Sequence, residues 1–369
     1  MNKKMIIVAV FTLLITVSGC KTIQIEDTPG EQIPVLGWYG IPSEYASKER
    51  YKDMAEAGFS IDFPHAHNFA SEPDKCFAAL DAAQAAGMQL AIMADALLNF
   101  SEADRTKLMA HPALHHYHIL DEPSTKVFAD LAAKVKAVQA IDKQHPCYIN
   151  LFPNYARVEL LGSPTYREHV DSFLKTVPVP FLSFDHYPIH LNNGKRTLNE
   201  IYYENIEFIA GEAKKAGMPF WAFALSTAHY DYPAPTLSDL RLQVYTDLAY
   251  GAQCIQYFTY WNPPPADNTW KQELAPMTST GKKTEIYTTV QAMNKEIKSL
   301  SKVFLNARVL WTAHTGTIPK GCTELDKSKL PPVIQSLEIS GSGALVSLLE
   351  KGKDLFVVIV NHDINNDIT

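Results

Sequence analysis

Ala86-Gly87-Met88-Gln89-Leu90-Ala91-Ile92-Met93 holds a helix end and a strand within eight residues. Glycine suits the left-handed position that closes a helix, and the short apolar run behind it has the length of a buried strand. The same junction recurs at Ala57-Gly58 before the run 59–63 and at Ala216-Gly217 before 220–224. A helix delivered that tightly into each strand, repeatedly, is the signature of a parallel sheet with helical crossovers, an α/β architecture.

Further runs of this kind occupy 35–39, 116–120, 147–150, 181–185 and 255–259, which brings the strands to eight, with apolar positions at three- and four-residue spacing between them. The strands run out into Pro42, Pro64, Pro123, Pro153, Pro188 and Pro263, residues that stop a strand and open a longer loop. Elaborate loops at the carboxyl ends of eight strands describe a (β/α)8 TIM barrel over 33–305. A doubly wound open sheet is the rival, and the absence of Gly-x-Gly-x-x-Gly after the first run weakens its nucleotide-binding form. A helix over 284–300, with Ile286, Val290, Met293 and Ile297 on one face, closes the barrel. Past it, 343–348 and 355–360 flank Lys351-Gly352-Lys353-Asp354 and predict a β-hairpin. An isolated hairpin is marginal, so the β-rich segment 306–369 is expected to pack on the barrel or to form part of a truncated β-sandwich.

The 369 residues are 46% hydrophobic and 20% charged, which excludes a disordered chain. A net charge of -7 with scattered basic residues excludes a nucleic-acid partner. At the amino terminus Lys3 and Lys4 precede an apolar stretch from Met5 to Val17 that is too short to span a bilayer, then Ser18-Gly19-Cys20. Residues 1–20 read as a signal peptide whose ending resembles a bacterial lipobox. That implies cleavage before Cys20, lipidation of its sulfur, a tether over 21–32 and an outer-membrane lipoprotein facing the periplasm or the exterior. Cys76, Cys147, Cys254 and Cys322 show no Cys-x-x-Cys spacing for zinc.

On a barrel the chemistry gathers where strands end. There the sequence places Trp38 and Tyr39, His65 and His67, Asp121 and Glu122, Asn150, Asp185, His186 and Tyr187, Trp221 in the seventh run, and Tyr260 and Trp261. Aromatic rings stack on the C–H faces of a pyranose while carboxylates and amides bind its hydroxyls, so this mixture points to a carbohydrate. In His118-Ile119-Leu120-Asp121-Glu122-Pro123 two acids end an apolar strand. An apolar mouth raises the pKa of a carboxylic acid, as protonating a leaving oxygen requires, and Glu122 is the expected general acid/base. Asp-Glu-Pro-Ser is also a helix start, which leaves Asp121 between catalysis and capping. Ser183, Asp185 and Tyr187 share one parity and face the axis. Asp185 is thus a nucleophile, a substrate-assisting carboxylate or a ligand for hydroxyls. His65 with His67, and His116 with His118, alternate as metal ligands do, but a binuclear amidohydrolase barrel places its His-x-His on the first strand and an aspartate after the eighth. No catalytic metal and no other cofactor is expected.

Gly37-Trp38-Tyr39-Gly40, Asp121-Glu122-Pro123, Asp185-His186-Tyr187-Pro188, Trp221-Ala222-Phe223, Tyr260-Trp261 and Gly281-Lys282-Lys283-Thr284 together resemble glycoside-hydrolase-like barrel lipoproteins of gut Bacteroidetes, related to the large retaining (β/α)8 glycosidase clan. The resemblance covers 33–305 and implies an acid/base glutamate ending the fourth strand, which falls on Glu122. It also implies a nucleophilic glutamate ending the seventh, yet 220–228 contains no acid and the first downstream is Asp231. The second group is then Asp185, Asp231, or the substrate's own acetamido group oriented by Asp121, as in hexosaminidases with an adjacent acid pair. A barrel that binds glycans at the cell surface without cleaving them fits the missing acid as well.

Overall fold

The computed structural model describes residues 4–9, 32–64, 69–332, 334, 336–339 and 341–366. Cys20, His65 and His67 lie outside these residues, as does the tether up to residue 31. Eight parallel strands are present: β1 (Val35–Trp38), β2 (Ile61–Phe63), β3 (Gln89–Met93), β4 (Leu114–Asp121), β5 (Cys147–Asn150), β6 (Leu182–Phe184), β7 (Phe220–Leu225) and β8 (Ile255–Phe258). Their order is β5-β4-β3-β2-β1-β8-β7-β6. The ring closes where Leu151, just past β5, bridges Phe184, its N–H donating to the Ser183 carbonyl at 2.8 Å. The fold is a (β/α)8 barrel, and the open-sheet alternative falls.

Helices surround it: α1 (Lys48–Glu56), α2 (Pro73–Ala85), α3 (Ala94–Asn99), α4 (Glu102–Met109), α5 (Phe128–Ile141), α6 (Val158–Leu161), α7 (Tyr166–Thr176), α8 (Tyr202–Ala216), α9 (Leu237–Tyr250) and α10 (Glu285–Phe304). Gly87 and Gly217 take the left-handed conformation, φ 74° and 69°, that lets α2 and α8 stop and turn at once into β3 and β7. Thr284 caps α10 by accepting from the Ile286 N–H. The expected strand 59–63 begins only at Ile61, because Phe59 packs outward on Tyr257 and Tyr260.

The barrel lumen is filled, as small barrels must be. Phe181 stacks on Trp221 with ring centroids 4.0 Å apart. His118 lies among Trp38, Phe63 and Tyr148, and His116 between Tyr148 and Trp221. The alternating histidines of β4 are therefore packing elements of the lumen.

Past the barrel the chain adds three antiparallel strands, β9 (Arg308–His314), β10 (Ala344–Lys351) and β11 (Asp354–Asn361). The expected hairpin is β10–β11, its two-residue turn opened by Gly352 at φ 60°. Leu345, Leu349, Phe356, Val358 and Val360 share the hydrophobic core between barrel and helices, and the Ser347 hydroxyl donates to the Ala249 carbonyl of α9 at 2.7 Å. The other face, with Val346, Leu348 and Val357, is covered by Leu310, Trp311, Ile334, Leu337 and Ile339. The segment is a single docked sheet rather than two facing sheets of a sandwich. Lys4–Ala9 lies parallel beside β11. Among the described residues no helix is long and apolar enough to cross a membrane, and Cys76, Cys147, Cys254 and Cys322 are free thiols.

The first βα loop is pinned over a buried carboxyl. Asp62 accepts the Ile41 N–H at 3.1 Å, and a Cβ added to Gly40 would lie 1.5 Å from its Oδ1. Gly40→Ala is expected to cost about 1–3 kcal/mol by overpacking. Gly87→Ala, which meets nothing within 4 Å but strains a positive φ, costs about 1–2 kcal/mol. Denaturant melts of both variants check the order, with the midpoint expected to fall further for Gly40→Ala than for Gly87→Ala.

Candidate active site

A regular strand sends consecutive side chains to opposite faces, so the adjacent acids of β4 need a device to meet in one site. Two are present. The register of β4 against β5 shifts between His118 and Leu120, which turns Asp121 toward the lumen. Glu122 then adopts a left-handed backbone, φ 46°, while its N–H donates to the Asn150 carbonyl at 2.9 Å. Both carboxyls line one cavity. Tyr39, φ 45°, does the same at the end of β1, so that Trp38 and Tyr39 line it together.

A one-way chain of hydrogen bonds rises through the lumen to these acids. Tyr148 OH donates to Gln256 Oε1 (2.7 Å), Gln256 Nε2 to Ser183 Oγ (2.9 Å), and Ser183 Oγ to Asn150 Oδ1 (2.8 Å). The Asn150 amide is thereby oriented, and its Nδ2 donates to Asp121 Oδ1 at 3.2 Å and to Asp185 Oδ1 at 3.1 Å. Tyr187 also hydrogen-bonds Asp185. Glu122 and Asp185 are hydrogen-bonded to one another.

Burial raises the Glu122 pKa far above the carboxylate range, and the negative charges of Asp185 and Asp121 add to it. Glu122 thus keeps its proton at neutral pH and donates it toward Asp185. Burial, with Asp121 nearby, raises Asp185 as well, against the lowering effect of Asn150 and Tyr187. Burial pushes Asp121 up to about 6, again opposed by Asn150.

The cavity holds about 430 Å³ and opens at the carboxyl end of the barrel. Of the eight large apolar side chains exposed among the described residues, four line it: Tyr155, Leu160, Tyr230 and Trp270. Exposed aromatic rings concentrated around partly buried acids mark a ligand site. A second cavity of about 310 Å³ adjoins it, shares Tyr39 and Trp270, and is lined further by Trp261, Glu44 and Gln272.

The structure brings together Glu122, Asp121, Asp185, Asn150, Trp38, Tyr39 and Tyr187 around the larger cavity, and Trp261 at the smaller. Three expected binding residues are corrected. His186 has the parity opposite to Asp185 and is buried in the helical layer, its Nδ1 3.0 Å from Asn205 Oδ1. Trp221 lies deep in the lumen against Phe181, because it starts β7 rather than ending it. Tyr260 is fully buried against Phe59, outside the strand ring. Asp231 does not line the cavity; its carboxylate lies 2.8 Å from His190 Nδ1, on a hairpin formed by Ile189–Asn192 and Lys195–Leu198. Among the cavity residues that sequence reading passed over, besides Arg157, Leu160 and Tyr230, are Tyr155, Tyr232 and Trp270. All three sit in loops without periodicity, where only the clustering of aromatic residues over 228–232 and at 270 gave a signal.

The model of glycoside hydrolase family 42, described as beta-galactosidase, matches residues 131–300. That region runs from α5 to α10 and includes Asn150 and Asp185. Among solved structures, a family 39 glycoside hydrolase from the gut symbiont Bacteroides cellulosilyticus WH2 aligns over 90% of this chain and 79% of its own, at 8% identity and a TM-score of 0.52. A glucosidase from Croceicoccus marinus aligns over 72% and 66%, at 11% identity and a TM-score of 0.50. The chain resembles glycoside hydrolase barrels. No curated protein matches it in sequence.

A carboxyl raised by folding binds more protons in the native than in the unfolded chain at neutral pH, so stability falls as pH rises above the ordinary carboxylate range. Glu122→Gln removes that penalty. The variant is expected to match the parent at pH 4 and to exceed its stability by about 0.5–2 kcal/mol at pH 8, read from denaturant melts at both pH values.

Proposed function

We propose that this protein hydrolyses the glycosidic bonds of an oligo- or polysaccharide, with Glu122 as general acid/base. The observation that carries the reading is a carboxylic acid kept protonated by burial and two anionic neighbours, at the floor of a barrel mouth rimmed with exposed aromatic rings. Glu122 gives its proton to the glycosidic oxygen as the bond from that oxygen to the anomeric carbon breaks. Asp185 is the second group. It lines the same cavity beside Glu122, and that proximity supports double displacement, which needs the two carboxyls roughly 5 Å apart, over the roughly 6.5–9.5 Å of inverting hydrolysis. Asp185 then forms the ester to the anomeric carbon, and water deprotonated by Glu122 releases the sugar with retained configuration. Asp121, adjacent to the acid and held by Asn150, supports a second route in which it orients a substrate acetamido group that attacks the anomeric carbon instead.

Product release from glycans and aryl glycosides tests the acid. Glu122→Gln is expected to lose at least about a thousandfold in kcat while retaining binding. Glycan binding without turnover in either protein would assign the barrel to glycan capture. An activated 2-deoxy-2-fluoro glycoside is expected to add its mass to the peptide carrying Asp185. Cleavage confined to 2-acetamido sugars, with no such adduct, would assign the nucleophile to the substrate.

The adjoining cavity takes a neighbouring sugar of the same chain, stacked on Trp270. Trp270→Ala is expected to lower kcat/KM on oligosaccharides roughly five- to tenfold, the value of one aromatic stack, while leaving a small aryl monoglycoside nearly unchanged.

We extend the reading to the amino terminus: the chain is exported and held at a membrane by lipid on Cys20. Radiolabelled palmitate is expected in the parent and absent in Cys20→Ser. Cleavage there removes Lys4–Ala9 from beside β11 and leaves that edge open.

A further inference from the structure

We propose that Glu207, His314 and Cys322 bind a zinc ion that fastens the C-terminal sheet to the helical layer of the barrel. One ligand atom from each lies within 4.8 Å of the others. The three come from separate parts of the fold: Glu207 from α8, His314 from the end of β9, and Cys322 from the loop that follows. Tetrahedral zinc takes nitrogen, sulfur and oxygen ligands at about 2.0–2.3 Å, hence roughly 3.3–3.8 Å from one another, so side-chain rotation closes the set. A thiol with an imidazole selects zinc over calcium or magnesium, which take oxygen ligands. Glu207 also lines an open cavity of about 460 Å³ together with Glu204 and Gly321, so the carboxylate side of the cluster faces solvent.

The surroundings suit a cation. The Tyr250 hydroxyl stands between two of the ligands, 2.9 Å from Glu207 Oε2 and 3.0 Å from His314 Nε2. Thr323 N–H donates to Glu207 Oε1 at 3.1 Å, an outer contact that orients the carboxylate. His314 is fully buried, and its Nδ1 has no hydrogen-bond partner. Either ring nitrogen offers a lone pair to the ion, Nδ1 as it stands or Nε2 on release of Tyr250. Burial and the carboxylates of Glu207 and Glu204 push the Cys322 thiol up to about 12. Zinc reverses that balance: the sulfur–zinc bond forms, and the thiol proton leaves to solvent.

The site lies outside the barrel mouth, and its test is independent of hydrolysis. The full-length protein, reduced and stripped with EDTA, is dialysed against micromolar zinc and, separately, titrated with cobalt(II). One zinc per chain is expected, with a melting temperature several degrees above that of the stripped protein. Cobalt is expected to give the near-ultraviolet charge-transfer band of a thiolate ligand. Cys322→Ser, at a half-exposed position that the fold tolerates, is expected to abolish the band and to weaken zinc binding at least a hundredfold. His314→Gln is expected to lose the zinc-dependent rise in melting temperature. Zinc removed completely by dialysis, or a cobalt spectrum unchanged in Cys322→Ser, would overturn the proposal.

Discussion

Three carboxyls converge in one desolvated mouth, and charges of like sign that close repel unless donors and a retained proton hold them. Asn150 supplies the donors. Its amide could sit either way round, and the lumen decides: the hydroxyl of Ser183 needs an acceptor, so Oδ1 faces Ser183 and Nδ2 faces Asp121 and Asp185. The order is inherited from Tyr148 through Gln256, two lumen residues that do not line the cavity. With the two aspartates favoured as anions by these N–H bonds, the proton settles on Glu122. The division of labour among three similar groups follows from which of them Asn150 reaches.

The backbone carries the rest of the arrangement. Left-handed conformations at Tyr39 and Glu122 cost of order 1 kcal/mol or more each for residues with a side chain, and such strain persists where the surroundings fix it. At Glu122 the fixing bond is the N–H to the Asn150 carbonyl, so one residue of β5 holds both the backbone of the acid and the charges beside it.

The eight strands were legible because alternation and Ala-Gly helix ends are local signals that survive into the fold, and the meeting of Glu122 and Asp185 at one cavity because both stand at strand ends on the carboxyl face. Parity read along β6 also placed Asp185 inward, and applied to its neighbour it would have placed His186 outward, where it packs on Asn205. Trp221 and Tyr260 misled because aromatic character does not tell lumen from mouth: Trp221 lies near the start of β7, stacked on Phe181 in the lumen, and Tyr260 follows β8 on its outer side. Tyr155, Tyr232 and Trp270 come from three different loops whose meeting is a tertiary fact without periodic trace in the sequence. The third strand of the C-terminal sheet was missed for a related reason, since Arg308–His314 is half-buried and lacks the continuous apolar run of β10 and β11.

That sheet bears on the mouth indirectly. Its inner face packs against α9, with Ser347 bonded to the Ala249 carbonyl. From the same helix Gln243 Oε1 accepts the Leu225 N–H at 2.9 Å, at the last residue of β7, while Gln243 Nε2 donates back to the Asp239 carbonyl. The chain leaves that point for Ser226, whose hydroxyl donates to the Thr259 carbonyl after β8, and then for His229, Tyr230 and Tyr232 on the cavity wall. A strand end without a carboxylate thus still shapes the site, by launching the aromatic wall from a fixed position. The sheet backs the helix, the helix holds the strand end, and the strand end sets where the aromatic wall stands relative to Glu122.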